Sequence, residues 1–176
     1  MRIAISGTHC VGKSTLIDEF LRTHTDFIHE PEPYTTLVED LGEEFSEEPR
    51  VEDFHRQLEF HLERLKQHTH EPRVIYERCP VDFLAYIAVL DPNSAETVLD
   101  QVLDGLGHLD VIVYLPLDHN VAIEAEYPKL RKAVDRRLSA LYGEDQYGII
   151  SGSNIEVIEA TGSTEQRLRA IYESQS

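Results

Sequence analysis

The residues with the clearest chemistry lie near the N-terminus, in a loop bounded by Gly7 and Gly12. The loop fits the pattern G-x-x-x-x-G-K-[ST], with Lys13 and Ser14 at the last two positions. Its glycines let the backbone wrap an anion, and a helix that starts here points its positive end at that anion. The lysine is expected to reach the β- and γ-phosphates, and the serine hydroxyl to ligate Mg²⁺. The pattern predicts binding of a nucleoside triphosphate through Gly7, Thr8, His9, Cys10, Val11, Gly12, Lys13, Ser14 and Thr15.

Two carboxylates, Glu30 and Glu32, lie directly after a short apolar stretch and alternate with prolines. A hydroxyl that attacks a γ-phosphate must lose its proton, so a carboxylate within reach is needed as general base. Glu30 is the first candidate for this base, and Glu32 is the second, in the alternate register. The other interpretation is that both acids form only a solvated exit from a strand.

A second acidic position, Glu77, ends the next buried apolar run and is followed by Arg78. Glu77 is expected to hold Mg²⁺ through water, because it would end beside the phosphate loop. Arg78 would pair with this carboxylate and contact the substrate. A simple ion pair at the end of a strand is the alternative.

A basic segment follows in the second half of the chain. Five of the 16 lysines and arginines fall within nine residues, at Lys129, Arg131, Lys132, Arg136 and Arg137. Arginines that approach a γ-phosphate neutralise charge in the transition state. We expect Arg131 and Arg136 to act in this way from a helical lid at about 127–147. Arginines five and six residues apart cannot all share one helix face, so an ordinary solvated helix is the alternative.

Alternating apolar strands and helices are expected to position these residues. Strands are predicted at 2–6, 26–29, 73–77, 111–115 and 154–158, and helices at 13–24, 51–68, 80–90, 94–106, 129–142 and 164–173. This alternation indicates a parallel sheet that is covered on both faces and binds ligands at the carboxyl ends of its strands. The predicted fold is a three-layer α/β sandwich with five parallel strands, a single domain over residues 1–176. The acidic stretch 34–49 is predicted to be a mobile flap, with a short helix within it as the alternative.

The composition limits the partners that the chain can have. A formal net charge of −17 argues against a nucleic-acid surface, which needs an excess of lysine and arginine. No apolar run reaches the roughly 18 residues that suggest a membrane span, and no secretory signal precedes the first strand. We expect a cytoplasmic protein without a nucleic-acid or membrane partner, and a homodimer stays open. Cys10 and Cys79 fit a reducing compartment, although their expected proximity would allow an inactivating disulfide.

These features together resemble the small-molecule P-loop kinases, which include deoxynucleoside kinases, thymidylate kinase and ribosylnicotinamide-kinase-like ATPases. Glu77-Arg78-Cys79 is similar to their Glu-Arg-Ser or Asp-Arg motif, and His29-Glu30-Pro31-Glu32-Pro33 to the Glu-Pro element that carries a general base. Gln57 and Arg64 lie on the helix where deoxynucleoside kinases place a base-reading Gln and a helper Arg. Ala160-Thr161-Gly162-Ser163 resembles the adenine-contacting loop, which assigns Thr161 and Gly162 to ATP. The chain departs from the family in Cys79 and in the missing tryptophan after the Glu-Pro element.

The resemblance implies a nucleotide-kinase-like strand order and phosphoryl transfer from ATP, with Mg²⁺, to a nucleoside, a nucleotide or a related metabolite. The catalytic residues are then Lys13, Glu30, Arg78, Arg131 and Arg136, and the acceptor pocket is lined by Glu32, Tyr34, Phe54 and Gln57. The alternative function is an ATP-binding or ATP-hydrolysing regulatory protein without a small acceptor. ATP is favoured over GTP, because the sequence lacks the Asn-Lys-x-Asp motif typical of guanine recognition.

Overall fold

Five short strands form a parallel sheet within residues 1–118 and 124–174, which the computed structural model describes. The strands are β1 (Arg2–Ser6), β2 (Ile28–Glu30), β3 (Val74–Glu77), β4 (Val111–Tyr114) and β5 (Glu156–Glu159). Their spatial order is β2-β3-β1-β4-β5, and all neighbouring pairs are parallel. The predicted fold class is confirmed, including the position of β3 beside β1. All five strands therefore end at the same edge of the sheet.

Helices cover both faces of this sheet. They are α1 (Lys13–Leu21), α2 (Pro33–Thr35), α3 (Val51–Gln67), α4 (Pro80–Leu90), α5 (Pro92–Leu106), α6 (Pro128–Gly143) and α7 (Thr164–Ser174). A π-helical segment, Thr36–Asp40, continues α2, and a 3₁₀ turn, Gln146–Gly148, follows α6. Among the described residues, no helix has the length and apolar character needed to cross a bilayer.

The sheet separates two hydrophobic cores. Ala4 and Tyr76 lie in one core with residues of α3, α4, α5 and α6. Ile5 and Val113 lie in the other with residues of α1 and α7. Successive strand residues point to opposite faces, so each central strand contributes to both cores. This two-sided burial explains why the strands are continuous apolar runs rather than alternating ones.

The second strand begins two residues later than predicted. It spans Ile28–Glu30, with Glu30 opposite Tyr76 of β3. Asp26, which the prediction placed in this strand, instead pairs with Arg73 at the surface. Glu30 is therefore the last residue of the strand and not the first residue of the loop. Its place in the strand determines the face of the sheet to which the Glu30 side chain points.

The acidic stretch after β2 contains more helix than the sequence indicated. Its first part forms α2 and the π-helical segment, and residues 41–50, called the flap below, contain neither helix nor strand. The flap leads directly into α3, whose start is fixed by a capping box between Arg50 and Asp53. The flap therefore runs beside the start of the long helix α3.

The helix α4 fills the interior beneath the phosphate loop. Cys79 and Asp82 form a capping box at its start, and Pro80 occupies the first helical position. Nearly the whole helix is buried, and it packs against α3, α5 and α6. Cys79 is buried whereas Cys10 on the loop is exposed, and both thiols are free, so no disulfide joins them. Burial of α4 carries Asp82 and Tyr86 to the loop that binds phosphate.

Candidate active site

The loop between β1 and α1 has the backbone that phosphate binding requires. Gly7 has a φ of +147°, and a Cβ on this residue would lie 2.6 Å from the carbonyl oxygen of Leu115. Gly12 has a φ of +90° and directly precedes α1. A side chain is unfavourable in both places, so glycine is needed there. The loop can thus curve around the positive N-terminal end of α1, where an anion is stabilised.

Lys13 lies folded over the loop. Its side chain is buried, and Nζ donates a 2.7 Å hydrogen bond to the carbonyl oxygen of Thr8. Burial, and then the positive charge of Arg78, lower the pKa of Lys13 to about 8. A triphosphate would supply negative charge beside this ammonium group. Lys13 is therefore placed to exchange Thr8 for phosphate oxygens.

Ser14 and Glu77 meet where β1 and β3 end side by side. The Ser14 hydroxyl donates a 2.7 Å hydrogen bond to Oε1 of Glu77. A hydroxyl and a carboxylate are hard oxygen ligands, which suit Mg²⁺ with its remaining water and phosphate ligands. Within the described residues, no cluster of three or more histidine, cysteine or acidic side chains could hold a metal ion. The pair therefore fits an ion that is bound together with a nucleotide.

A cavity of about 490 Å³ opens beside the loop. Its walls come from the exit of β2, the flap, α3, α4 and the residues that lead into α6. The structure places all four predicted pocket residues, Glu32, Tyr34, Phe54 and Gln57, in its lining. The volume is typical of sites for small molecules and cofactors.

Glu32 and Arg78 form an ion pair between this cavity and the loop. Oε1 of Glu32 accepts a 2.6 Å hydrogen bond from Nε of Arg78, and Nη2 of Arg78 lies 2.5 Å from the same oxygen. Nη1 of Arg78 donates to the carbonyl oxygen of Gly7 at 2.9 Å, which ties the pair to the phosphate loop. Burial raises the pKa of Glu32, but the charges of Arg78 and Lys13 outweigh burial and hold it below its ordinary value. Glu32 is therefore an ionised carboxylate, able to accept hydrogen bonds, at the boundary between the phosphate loop and the cavity.

Glu30 faces a different part of the molecule. Its Oε2 accepts a 2.8 Å hydrogen bond from Nε of Arg64, and its Oε1 lies 2.6 Å from Nε2 of His68. Burial raises the pKa of Glu30, but its hydrogen bonds and charge interactions with Arg64 and His68 lower it below the ordinary value. Glu30 does not line the cavity. Of the two residues predicted as candidates for the general base, Glu32 is therefore the one that lines the cavity.

Aromatic side chains form the wall of the cavity opposite the loop. Phe54 and Tyr86 stack with their ring centroids 4.4 Å apart and their planes 10° apart. Tyr34 packs against Phe45 of the flap at 5.3 Å. Gln57 beside them is 6% exposed, and its side-chain amide forms no hydrogen bond with any described residue. The cavity thus offers flat apolar surfaces and one buried amide that can bond to a ligand.

The mouth of the cavity lies between the flap and the start of α6. The Tyr127 hydroxyl donates a hydrogen bond to the carbonyl oxygen of Glu47 in the flap. His9 of the loop places Nε2 at 2.8 Å from the carbonyl oxygen of Glu126 and Nδ1 at 2.8 Å from the Tyr86 hydroxyl. These contacts join the flap, the lid and the loop around one opening.

The two predicted lid arginines have different surroundings. Nε and Nη2 of Arg131 donate to the carbonyl oxygens of His9 and Cys10 at 2.9 and 2.8 Å. Arg131 therefore lies over the phosphate loop, as predicted. Arg136 is exposed on another face of α6 and lines neither cavity. The structure places only Arg131 at the site.

A second hollow, of about 230 Å³, lies on the other side of the loop. Gly162 lines this hollow, whereas Thr161 precedes it and is exposed. Arg167 of α7 also lines it and donates a 2.7 Å hydrogen bond from Nη1 to the carbonyl oxygen of Val11. Sequence analysis missed Arg167, because nothing near it in the chain indicates that α7 packs beside the loop.

Asp82 is a second residue that sequence analysis missed. Its Oδ1 accepts a 2.6 Å hydrogen bond from the Ser6 hydroxyl and a 3.0 Å bond from the Gly7 N–H. Burial raises the pKa of Asp82 even though Arg78 and Ser6 oppose this effect. The spacing Cys79-x-x-Asp82 before an apolar helix is a capping-box signal that could have identified it. This carboxylate fixes the first residue of the phosphate loop from below.

A family model and several solved structures are similar to this chain. A family model described as AAA domain matches residues 2–167. No curated protein gives a significant match. Among solved structures, deoxyadenosine kinase from M. mycoides with bound dATP has a TM-score of 0.65 at 18% identity, over 100% of both chains. These comparisons place residues 2–167 in a described family and give the fold a structural counterpart over its whole length.

Two further structures are similar in the same way. Thymidylate kinase from Candida albicans has a TM-score of 0.68 at 13% identity, over 98% of this chain and 89% of its own. The NadR protein in complex with NR has a TM-score of 0.69 at 14% identity, over 98% of this chain and 50% of its own. These similarities show a shared P-loop kinase-like fold.

Proposed function

This chain belongs to the AAA domain family, and on that premise we propose that it transfers the γ-phosphoryl group of ATP to a small acceptor of the nucleoside or nucleotide class. The observation that carries the proposal is the ion pair of Glu32 and Arg78. Arg78 contacts the phosphate loop through Gly7, and Glu32 lines the adjacent cavity. A donor site and an acceptor site therefore share one boundary, as phosphoryl transfer between them requires.

The loop and its neighbours form the donor half of the proposed site. The loop amides and Lys13 hold the phosphates, and Arg131 offers a guanidinium over the loop. Gly162 and Arg167 line the second hollow, which is proposed to receive the remainder of ATP. Ser14 and Glu77 would hold Mg²⁺, which neutralises phosphate charge when it is bound.

Glu32 is the proposed general base of the acceptor half. As the acceptor oxygen attacks the γ-phosphorus, its hydroxyl proton passes to the Glu32 carboxylate, and the bond from phosphorus to the ADP oxygen breaks. No described residue donates a hydrogen bond to Oε2 of Glu32, so this oxygen can accept the proton while Arg78 holds Oε1. Arg78 also orients the carboxylate through the hydrogen bond from its Nε and the ion pair with the same oxygen.

The wall of the cavity supports an acceptor that has a planar ring. Phe54 and Tyr86 offer stacked aromatic surface, and the Gln57 amide can bond to the polar edge of a ring. The named ligands and activities of the similar structures, deoxyadenosine kinase, thymidylate kinase and NadR with NR, agree with this class of acceptor. None of these similarities exceeds 18% identity, so the acceptor is proposed from the cavity itself.

The test is acceptor-dependent release of ADP. The purified protein is incubated with ATP and Mg²⁺ and a panel of nucleosides, nucleotides and vitamins, and ADP and the phosphorylated product are both quantified. The proposal expects product with at least one acceptor, and loss of turnover in the Lys13→Ala variant. Release of ADP that no acceptor changes would instead favour a regulatory ATPase and would contradict the proposed kinase activity.

A further inference from the structure

The acceptor cavity has a strongly one-sided charge. Five acidic residues contribute to its described lining, Glu32, Glu47, Asp53, Glu124 and Glu126, against one arginine, Arg78. Glu32 and Arg78 neutralise each other in their ion pair. The other four carboxylates form no ion pair with any described residue. The cavity therefore has an excess of negative charge close to the place where an acceptor would bind.

Three of these acids lie where a ligand would enter. Glu47 belongs to the flap, and Glu124 and Glu126 belong to the segment that leads into α6. The hydrogen bond from Tyr127 to the backbone of Glu47 holds these two segments together across the mouth. Charges at the rim of a cavity focus their field on the opening and repel ligands of the same sign.

The positive groups near the cavity are already occupied. Arg78 bonds to Glu32 and to the carbonyl oxygen of Gly7. His9 also lines the cavity, and burial, as the largest cause, lowers the pKa of its ring and so disfavours its charged form. No arginine or lysine of the described lining is therefore left unpaired to bind the phosphate of a nucleotide acceptor.

The position of Glu32 leads to the same conclusion independently. A hydroxyl acceptor needs a base to take its proton, whereas the phosphate of a nucleoside monophosphate is already deprotonated at neutral pH. A carboxylate beside the phosphate loop can take the proton of a hydroxyl, whereas an ionised phosphate needs no such base. The side-chain amide of Gln57, which forms no hydrogen bond with any described residue, can meanwhile bond to the polar edge of an acceptor's ring.

We infer that the acceptor is a hydroxyl-bearing, nucleoside-type compound without a phosphate group, and that the acidic mouth formed by Glu47, Glu124 and Glu126 excludes nucleoside monophosphates. This inference rests on the proposed kinase function. It narrows that function, because the fold alone is compatible with both classes of acceptor.

The experiment compares each nucleoside with its own 5′-monophosphate. Adenosine, cytidine and thymidine and the three monophosphates are tested with ATP and Mg²⁺, and kcat/KM is determined for each pair. We expect a preference for the nucleoside of at least about tenfold. Binding of both members of a pair in the presence of a non-hydrolysable ATP analogue is measured by calorimetry, which gives the same comparison without turnover.

A triple variant, Glu47→Gln, Glu124→Gln and Glu126→Gln, tests the mouth directly. Removal of its charge should reduce the preference for the nucleoside severalfold, mainly because kcat/KM for the monophosphate rises. The matched control replaces three exposed acids that line neither cavity, Glu96→Gln, Asp100→Asn and Glu173→Gln, and should keep the preference of the wild-type protein.

The possible results separate the inference from the function on which it rests. Equal or better use of the monophosphates would overturn the inference and leave the kinase function standing. A change in preference that is the same in the control variant would also overturn it, because net charge and not the mouth would then be responsible. If neither the nucleosides nor the monophosphates are phosphorylated, the proposed kinase function itself is overturned.

Discussion

Arg64 holds Glu30 by two hydrogen bonds, of 2.8 Å to Oε2 and 2.5 Å to Oε1, on the α3 side of β2. Glu32 lies two residues further along the chain and bonds instead to Arg78 beside the phosphate loop. Two carboxylates separated by one proline thus belong to different parts of the molecule. One fastens β2 to α3, and the other is placed to act on an acceptor.

Substitution of each carboxylate by its amide should separate these roles. Glu32→Gln removes the proton acceptor and should lower kcat by about 10²- to 10⁴-fold. Its affinity for an ATP analogue should change little, since Glu32 lies on the acceptor side of the loop. Glu30→Gln should keep kcat within a few fold of the wild-type value. Steady-state kinetics and analogue titration measure both effects, and a larger loss of kcat in Glu30→Gln would return the base to Glu30.

The clamp between Glu30 and Arg64 should contribute to stability. Glu30→Gln should lower the free energy of unfolding at pH 7 by about 1–3 kcal/mol, because it weakens charged hydrogen bonds. The exposed pair of Arg56 and Glu59 provides the control, and Glu59→Gln should change this free energy by less than about 1 kcal/mol. Urea denaturation measures both variants, and equal effects would show that the clamp adds no more than a surface pair.

The same clamp should make stability depend on pH. The pKa of Glu30 is lower in the folded protein than its ordinary value of 4.5, so folding favours the ionised carboxylate. Its contribution is full above pH 4.5 and is lost as the pH falls through the lowered pKa. The difference in unfolding free energy between wild type and Glu30→Gln should therefore shrink between pH 7 and pH 3. A difference that is constant over this range would contradict the assigned pKa direction.

The donor half of the site could be predicted from sequence because its residues are nearly contiguous. The phosphate loop lies within nine residues, Gly7 to Thr15, and the strands around it are uninterrupted apolar runs. The order of the strands, in contrast, was expected from the family resemblance and not from the runs themselves. Local pattern and the neighbouring strand and helix were enough to identify the loop.

The acceptor half of the site could not be predicted in the same way, because it depends on contacts between residues that lie far apart in the sequence. The register of β2 against β3 decides that Glu30 ends the strand and that Glu32 enters the site. Arg167 reaches Val11 across 156 residues of sequence. The sequence does distinguish Arg131 from Arg136, however. Arg131 lies at helical spacing from the buried residues Val134, Leu138 and Leu141, which places it on the inward face of α6.

Binding of ATP should weaken above pH 8 because of Lys13. Its pKa is about 8 in the free protein, and bound phosphates should raise it, so binding above pH 8 must take up a proton. The affinity for an ATP analogue should then fall by up to about tenfold per pH unit between pH 8 and 9.5. Calorimetry in buffers of different ionisation enthalpy measures the proton uptake. In Lys13→Arg, which stays charged, the uptake should disappear, and uptake that persists would point to another group.

The hydrogen bond between Ser14 and Glu77 predicts how activity depends on Mg²⁺. Ser14→Ala removes one oxygen ligand and should raise the Mg²⁺ concentration for half-maximal activity about tenfold or more. Ser14→Thr keeps the hydroxyl and serves as the matched control, with a requirement close to that of the wild-type protein. Glu77→Gln should resemble Ser14→Ala. Titration with Mg²⁺ at a fixed ATP concentration measures all four proteins, and equal requirements in all of them would remove this pair from the metal site.

The contrast between Arg131 and Arg136 provides a matched test of the lid. Arg131 donates to His9 and Cys10 of the loop, whereas Arg136 is exposed and lines neither cavity. An arginine that approaches the γ-phosphate stabilises charge mainly in the transition state, so Arg131→Ala should lower kcat by about 10²-fold or more. Arg131→Lys keeps one positive charge but loses the planar fork, and should recover only part of this loss. Arg136→Ala should keep kcat within about twofold, because solvent already surrounds its guanidinium. Equal losses in the two alanine variants would mean that α6 acts through its overall positive charge, and the position of Arg131 over the loop would then have no special part in transfer.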